Sequence, residues 1–329
     1  MVLAMGKIAT PPSTPRTSCI EDIGMIITRL NGGLGNQLFQ YAFGRALSIR
    51  HGAPLRLDIR DYRENPQHGL LIQNFNIDGE FLPTNHSIAA PDITRRTKWQ
   101  RWLWNMNPSH ARWVREKPFG FQPQWLKLGK SVYLDGYWQS ESFFRDFSNT
   151  LRNELTLKAP PSLATQEIAA QMRQTRSVAM HIRRGDYVTD PKVAKIYLPL
   201  SLAYYERCLN DWAADQRNVR VFVFSNDIAW CKKNIRWAQP TVYVDHTTAL
   251  TAYEDLYLMQ QAECCITANS TLSWWGAWLG RRPNHVVYTP ANWFYPNTLD
   301  DQYLPCDGWV QMPIDPISAQ TQMPSSHAA

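Results

Sequence analysis

Residues 177–187, SVAMHIRRGDY, run from alternating apolar side chains into His181, Arg183, Arg184 and Asp186. A guanidinium is permanently charged and forks onto two oxygens, which suits a phosphate or diphosphate. Side chains alternate along a strand, so His181 and Arg183 share one face and Ile182 takes the other. Asp186 is placed to hold an arginine or to accept a proton, and Asp190 is the next carboxylate along. Two plainer readings fit the same letters. One is an exposed ion pair worth ~0–1 kcal/mol. The other is an Arg184-Gly185-Asp186 cell-adhesion tripeptide, although such a tripeptide works on a loop tip rather than against a buried strand.

Three further stretches carry chemistry. In ITANSTLSWWGAWLG (266–280), Asn269, Ser270 and Thr271 stand between a strand and a helix. The first amides of a helix have no internal partner and carry the positive end of its dipole, so they form an anion site without lysine or metal. An N-cap with nothing bound explains the same residues. NGGLGNQ (31–37) brings Gly35 and Asn36 to a tight backbone turn. It lacks the spacing of a dinucleotide fingerprint and the lysine of a P-loop. FSND (224–227) puts Ser225 and Asp227 at another strand end. No H-E-x-x-H and no D-x-D stretch is present. A diphosphate would therefore be neutralised by arginine and helix amides, and neither a cofactor nor a metal is expected.

These stretches need strands to carry them. MIITRL (25–30) reads as a short buried strand, followed by the glycine loop and a helix closed by Gly52. PLRLD (54–58) is the next strand, and SVYLDGYWQ (131–139) returns to strand before a helix over ESFFRDFSNTLRNEL. The stretch 62–130 gives no regular pattern. After the linker Ala159-Pro160-Pro161, strands at 177–182, 219–224, 241–244, 264–267 and 285–289 alternate with helices. Strict alternation means a doubly wound α/β sheet, with ligands outside the carboxyl ends of its strands. All four stretches lie at such ends.

Composition sets the bounds. In 329 residues, 44 % are apolar and 19 % charged, so a core can be buried. The net charge of +6 suits an anionic substrate, nucleic acid or anionic membrane without choosing among them. Fourteen tryptophans hint at sugar stacking. The six cysteines include no C-x-x-C pair and read as free thiols. His51, His68, His86 and His285 are scattered singly and read as structural. The segment 95–117, RRTKWQRWLWNMNPSHARWVREK, interleaves bases with tryptophan. Its plainer reading is a solvated helix with the tryptophans turned inward. Contact with anionic lipid, nucleic acid or glycan is the alternative. No apolar run is long enough to span a bilayer, and residues 1–24 make a poor secretory signal, so a cytoplasmic protein is expected.

Taken in order, RLNGGLGNQLFQYAFGRALS, HIRRGDY, FSND and NSTLSWWGAWLG resemble the α-1,2-fucosyltransferases of glycosyltransferase family 11, over residues 25–310. The resemblance implies a GT-B fold, with an acceptor-side α/β domain over 25–158 and a Rossmann-like GDP-fucose domain over 159–312; composition marks residues 1–24 and the Pro-rich tail 313–329 as flexible ends. It implies metal-free, inverting transfer of fucose from GDP-fucose to the 2-hydroxyl of a terminal β-galactoside such as lactose or a polysaccharide repeat. Carried onto this chain, Arg183 would stabilise the leaving β-phosphate and His181 would help hold the nucleotide. Ser270 and Thr271 would contact phosphates, and Asp255 would meet guanine. Gly35 and Asn36 would approach sugar and acceptor. Arg184, Ser225, Asp227 and Asn269 complete the nucleotide-side candidates at the strand ends. The base is open: Asp186 first, Asp190 second, while the Asn36 amide could orient a hydroxyl but not take its proton. A fucosyltransferase of another linkage, such as α-1,6, is the alternative enzyme. Outside catalysis stand a glycan- or cell-binding protein using the tripeptide, and a nucleic-acid binder. The latter would need a clustered basic groove and steep salt dependence, and no nucleic-acid partner is expected.

Overall fold

The computed structural model describes residues 24–64, 69–82, 97–106, 111–185, 190–191 and 193–314. Two parallel sheets organise them. The first has five strands in the order β3-β2-β1-β5-β4: β1 Ile26–Arg29, β2 Leu55–Asp58, β3 Glu80–Phe81, β4 Arg112–Arg115 and β5 Val132–Asp135. The second has six in the order β8-β7-β6-β9-β10-β11: β6 Arg176–Ile182, β7 Val219–Ser225, β8 Thr241–Tyr243, β9 Cys264–Ile266, β10 Val286–Pro290 and β11 Val310–Met312. Its chain order runs outward from β6 to β8, then resumes at β9 on the other side, which is the doubly wound Rossmann order. The α/β expectation and its two-sheet GT-B layout hold.

Nine helices among the described residues connect them: α1 Leu34–His51, α2 Asp61–Glu64, α3 Lys98–Met106, α4 Ser148–Glu154, α5 Leu163–Gln174, α6 Leu202–Ala213, α7 Ile228–Asn234, α8 Ala252–Met259 and α9 Thr271–Trp278. Local chemistry fixes several ends. Gly52 closes α1 in the left-handed region at φ 60°, where a residue without Cβ is unstrained. Ser162 and Ser201 cap α5 and α6 by accepting from the backbone N–H of Thr165 and Tyr204.

Three sequence expectations differ from the fold. The segment ESFFRDFSNTLRNEL makes two short 3-10 turns before α4 rather than one helix. The basic segment 95–117 is not one helix: α3 is followed by strand β4. Its tryptophans are not all turned inward, because Trp99 and Trp102 are exposed. The tryptophans of the last motif are core rather than sugar platforms. Trp274 and Trp275 lie 4.5 and 5.0 Å from Phe39 of α1, and Trp275 stacks on Phe144 at 5.4 Å. Helix α9 follows a strand of the second sheet yet packs into the core of the first.

Candidate active site

The sheet order reverses between β6 and β9, which pair in register from Val178 opposite Cys264 to Met180 opposite Ile266. A ligand binds in the crevice outside the strand ends at such a point. Val178, Met180 and Ile182 pack on the face covered by α6 and α7, while Ala179 packs on the face of α5, α8 and α9. His181 belongs to the second face, and Arg183 follows just past Ile182, the last residue of the strand. Helix α9 begins on that face. Its N-cap, Ser270, is extended at φ −139° and ψ 129° and makes no side-chain capping bond. First-turn amides with a hydroxyl beside them can receive an anion.

His181 is buried, and its Nδ1 has no hydrogen-bond partner. Burial, and then the charge of Arg183, push its pKa down to about 3. The imidazole is therefore neutral at ordinary pH and acts as a hydrogen-bonding group, not as a cation. Arg184 turns elsewhere. Its guanidinium carbon sits 3.6 Å from the centre of the Trp230 ring, and Nε lies 3.7 Å from Asp227 Oδ2. Arg184 thus braces the α7 side, while the charge of Arg183 acts on His181.

The remaining strand-end residues shape the crevice. Ser225 Oγ accepts from the Asp227 N–H at 3.0 Å, and Asp227 caps α7 by accepting from the Trp230 N–H at 3.1 Å. Asn226, which sequence reasoning passed over, accepts from the Arg184 N–H at 3.0 Å. Gly185 has φ +32°, and a Cβ there would meet Asn226 Nδ2 at 2.1 Å. The double-arginine turn therefore needs both glycine and its asparagine neighbour. Asn269 Nδ2 donates to the carbonyls of Leu198 and Trp293 at 2.7 and 3.0 Å, holding two loops against the strand end. Asp255, on the first turn of α8, accepts from the Thr247 hydroxyl at 2.7 Å. Burial pushes its carboxyl up to about 7 against that hydrogen bond. Asp186 lies outside the described residues, as do His68 and His86. Asp190 is described. His51 and His285 bond to backbone carbonyls, in keeping with their structural reading.

The first sheet reaches the same place through α1. A Cβ at Gly35 would come within 2.4–2.6 Å of Thr271 Oγ1, its carbonyl carbon and the Leu272 nitrogen. Only glycine lets the two helix starts touch. Asn36 Oδ1 accepts from Gln139 Nε2 at 3.0 Å, which ties this contact to the loop after β5. Around that loop, Arg29 donates to Asp61 and Asp135 at 2.8 and 3.0 Å, while Asp58 takes Arg60 and the Tyr133 hydroxyl. Glu116, just past β4, was also missed. Its Oε2 accepts from the Tyr137 and Trp138 amides, while Oε1 is buried without a hydrogen-bond partner. Burial raises its pKa, against the lowering by those backbone amides. The signal was present: Glu116 is the one acid among seven bases in 95–117. No group of His, Cys, Asp and Glu among the described residues is arranged to hold a metal ion.

The chain is similar to known proteins in sequence and in fold. The chain is 32 % identical over 301 residues to an alpha-1,2-colitosyltransferase of Escherichia coli, covering 88 % of this chain and 99 % of that one. It is 29 % identical over 259 residues to galactoside alpha-(1,2)-fucosyltransferase 1 of Homo sapiens, covering 76 % of this chain and 64 % of that one. A structure of a mutant of Arabidopsis thaliana FUT1 in complex with GDP superimposes with a TM-score of 0.50 at 11 % identity, over 79 % of this chain and 69 % of that one, a likeness of fold. The sequence model of Glycosyl transferase family 11 matches residues 7–312, spanning both sheets and every strand end described above. By that match, and by the switch-point crevice it encloses, the chain belongs to glycosyltransferase family 11.

Proposed function

We propose that the chain transfers fucose from GDP-fucose to the 2-hydroxyl of a terminal β-galactoside, with inversion at C1 and without a metal ion. One observation carries this reading: the neutral His181, near enough to Arg183 for its charge to be felt, stands on the face where the uncapped N-terminus of α9 begins, a donor set suited to a diphosphate. The names of the two sequence relatives support the sugar class and the α-1,2 linkage.

In this mechanism the acceptor oxygen attacks C1 of fucose as the bond from C1 to the β-phosphate oxygen breaks. That electron pair leaves with GDP, and the hydroxyl proton passes to a base. Negative charge grows on the β-phosphate in the transition state, where Arg183 and the first amides of α9 act most strongly. Ser270 and Thr271 add hydroxyl donors, and Asp255 receives the ring donors of guanine. Asn36, held by Gln139, orients the acceptor hydroxyl without taking its proton. The base is a carboxylate. Asp186 and Asp190 are the candidates that follow the two arginines in sequence. Glu116 is a third, with one oxygen anchored by amides, the other without a partner and a raised pKa suited to late proton transfer.

A second donor sugar is favoured by one relative. Colitose is fucose without its 3-hydroxyl, so a pocket indifferent to that group accepts both sugars. A pocket built to bond it rejects the deoxy sugar by roughly 10⁴-fold. Transfer from GDP-fucose to lactose in excess EDTA, with wild type beside Arg183→Ala, tests the whole reading. Metal-independent α-1,2 product lost in the variant supports it. An α-1,6 product reassigns the linkage, GDP binding without transfer moves the acceptor, and failure to bind either GDP or GDP-fucose ends it.

A further inference from the structure

Helix α3 presents Trp99, Trp102, Leu103 and Met106, spaced i, i+3, i+4 and i+7, so that they form one stripe along the helix. On a helix of a globular protein such a stripe faces the core. Here it faces outward: the four residues are 67, 55, 44 and 63 % exposed. The helix is nevertheless fastened in a definite orientation. Asn105 Oδ1 accepts from the Trp113 N–H at 2.9 Å, and the Arg101 guanidinium carbon sits 4.9 Å from the centre of the Trp113 ring. Edge strand β4 therefore holds one side of α3, and the opposite side offers the stripe.

Charge identifies what the stripe meets. Residues 95–117 hold seven Lys and Arg and one acid, a net +6, which equals the net charge of the whole chain. The other residues are neutral in sum. The one acid, Glu116, is turned to the amides of Tyr137 and Trp138. Tryptophan tolerates a boundary that is apolar on one side and wet on the other, and arginine and lysine reach from such a stripe to anionic headgroups. Pairing the stripe with a second copy of itself would bring two such positive segments together.

We propose that α3 docks the protein onto the headgroup region of an anionic bilayer. Nine residues of helix measure about 14 Å. The helix lies in the plane of the surface and does not cross it. The inference is independent of the transfer reaction proposed above.

Flotation of the full chain with vesicles of phosphatidylcholine alone, or with added phosphatidylglycerol, tests it. Binding is expected with phosphatidylglycerol, with a blue shift of tryptophan fluorescence and release by high salt. Trp99→Ser combined with Trp102→Ser should lower partitioning about tenfold or more, with the thermal midpoint unchanged. No binding to the anionic vesicles, or equal binding by the doubly substituted chain, overturns the proposal. So does a dimer in light scattering that the double substitution dissociates, because the stripe would then belong to a second copy.

Discussion

At the end of β1, Arg29 reaches two carboxylates, Asp61 and Asp135, and at the end of β2 Asp58 takes Arg60 and Tyr133. At the end of β6, His181 leaves Nδ1 without a partner, and across the switch point Ser270 leaves its capping bond unmade. Both edges are built the same way, from parallel strands running into helix starts, and they touch at Gly35 and Thr271. Their electrostatics differ because their proposed ligands differ. A neutral glycan needs hydroxyl and amide partners, so the first edge can cancel its charges internally. A diphosphate needs donors the protein itself has not consumed, so the second edge keeps some.

That contrast can be broken most sharply at Arg183. Arg183→Ala is expected to lower kcat by ~10²–10³ while leaving the fold intact by circular dichroism; near-normal turnover would remove Arg183 from the chemistry. Glu116→Gln comes next. If Glu116 is the base, kcat falls by roughly 10² with KM little changed, and steady-state kinetics on lactose reads the split. If kcat holds, the base is Asp186 or Asp190.

Arg29→Ala tests the self-cancelled edge. Leaving Asp135 without its partner should cost about 1–3 kcal/mol of stability in urea unfolding, with GDP affinity unchanged. A loss of GDP affinity instead would mean that the two edges are not separable.

The smallest effect is that of pH at Asp255, whose carboxyl titrates near 7. Guanine N–H donors require the carboxylate, so binding below pH 7 must release a proton. GDP affinity should rise by up to about tenfold from pH 6 to 8 and then level, and Asp255→Asn should flatten this component. The sign for stability is opposite. The raised pKa gives stability that is complete below the ordinary carboxyl range and lost as pH rises through about 7. Calorimetric titration of both chains across this range reads the first effect, and thermal midpoints read the second.

The second half of the chain was legible because its strands are continuous and largely apolar, as in VRVFVF, and several of its helices, α5, α6 and α7, carry side-chain caps. Placing three of the four motifs at strand ends followed from the alternation of strands and helices there. The first half resisted where its strands are edges: β3 has two residues, and β4, RWVR, has only two apolar side chains between arginines in a basic run. Periodicity gave α3 its stripe but not its direction, since spacing defines a face without saying what lies opposite. Within the site, Arg183 and Arg184 look equivalent in sequence. What Arg184 does depends on Trp230 and Asp227, brought alongside by the neighbouring strand β7. Asn226 and Glu116 carry their meaning only through contacts of the same kind.

Helix α9 packs into both cores, with Ala277 in that of the second sheet and its tryptophans in that of the first, and this limits how the molecule can move. Its Trp274, Trp275 and Trp278 are buried against Phe39 and Phe144. Each large apolar side chain exposed to water costs about 1.5–3 kcal/mol, so swinging the halves apart on a hinge would have to uncover several at once. Substrate entry and product departure are then matters for loops at the rim rather than for a wide opening of the two halves. The start of α9 is thereby held in register against the Gly35 turn, as a fixed fulcrum around which lighter segments can move.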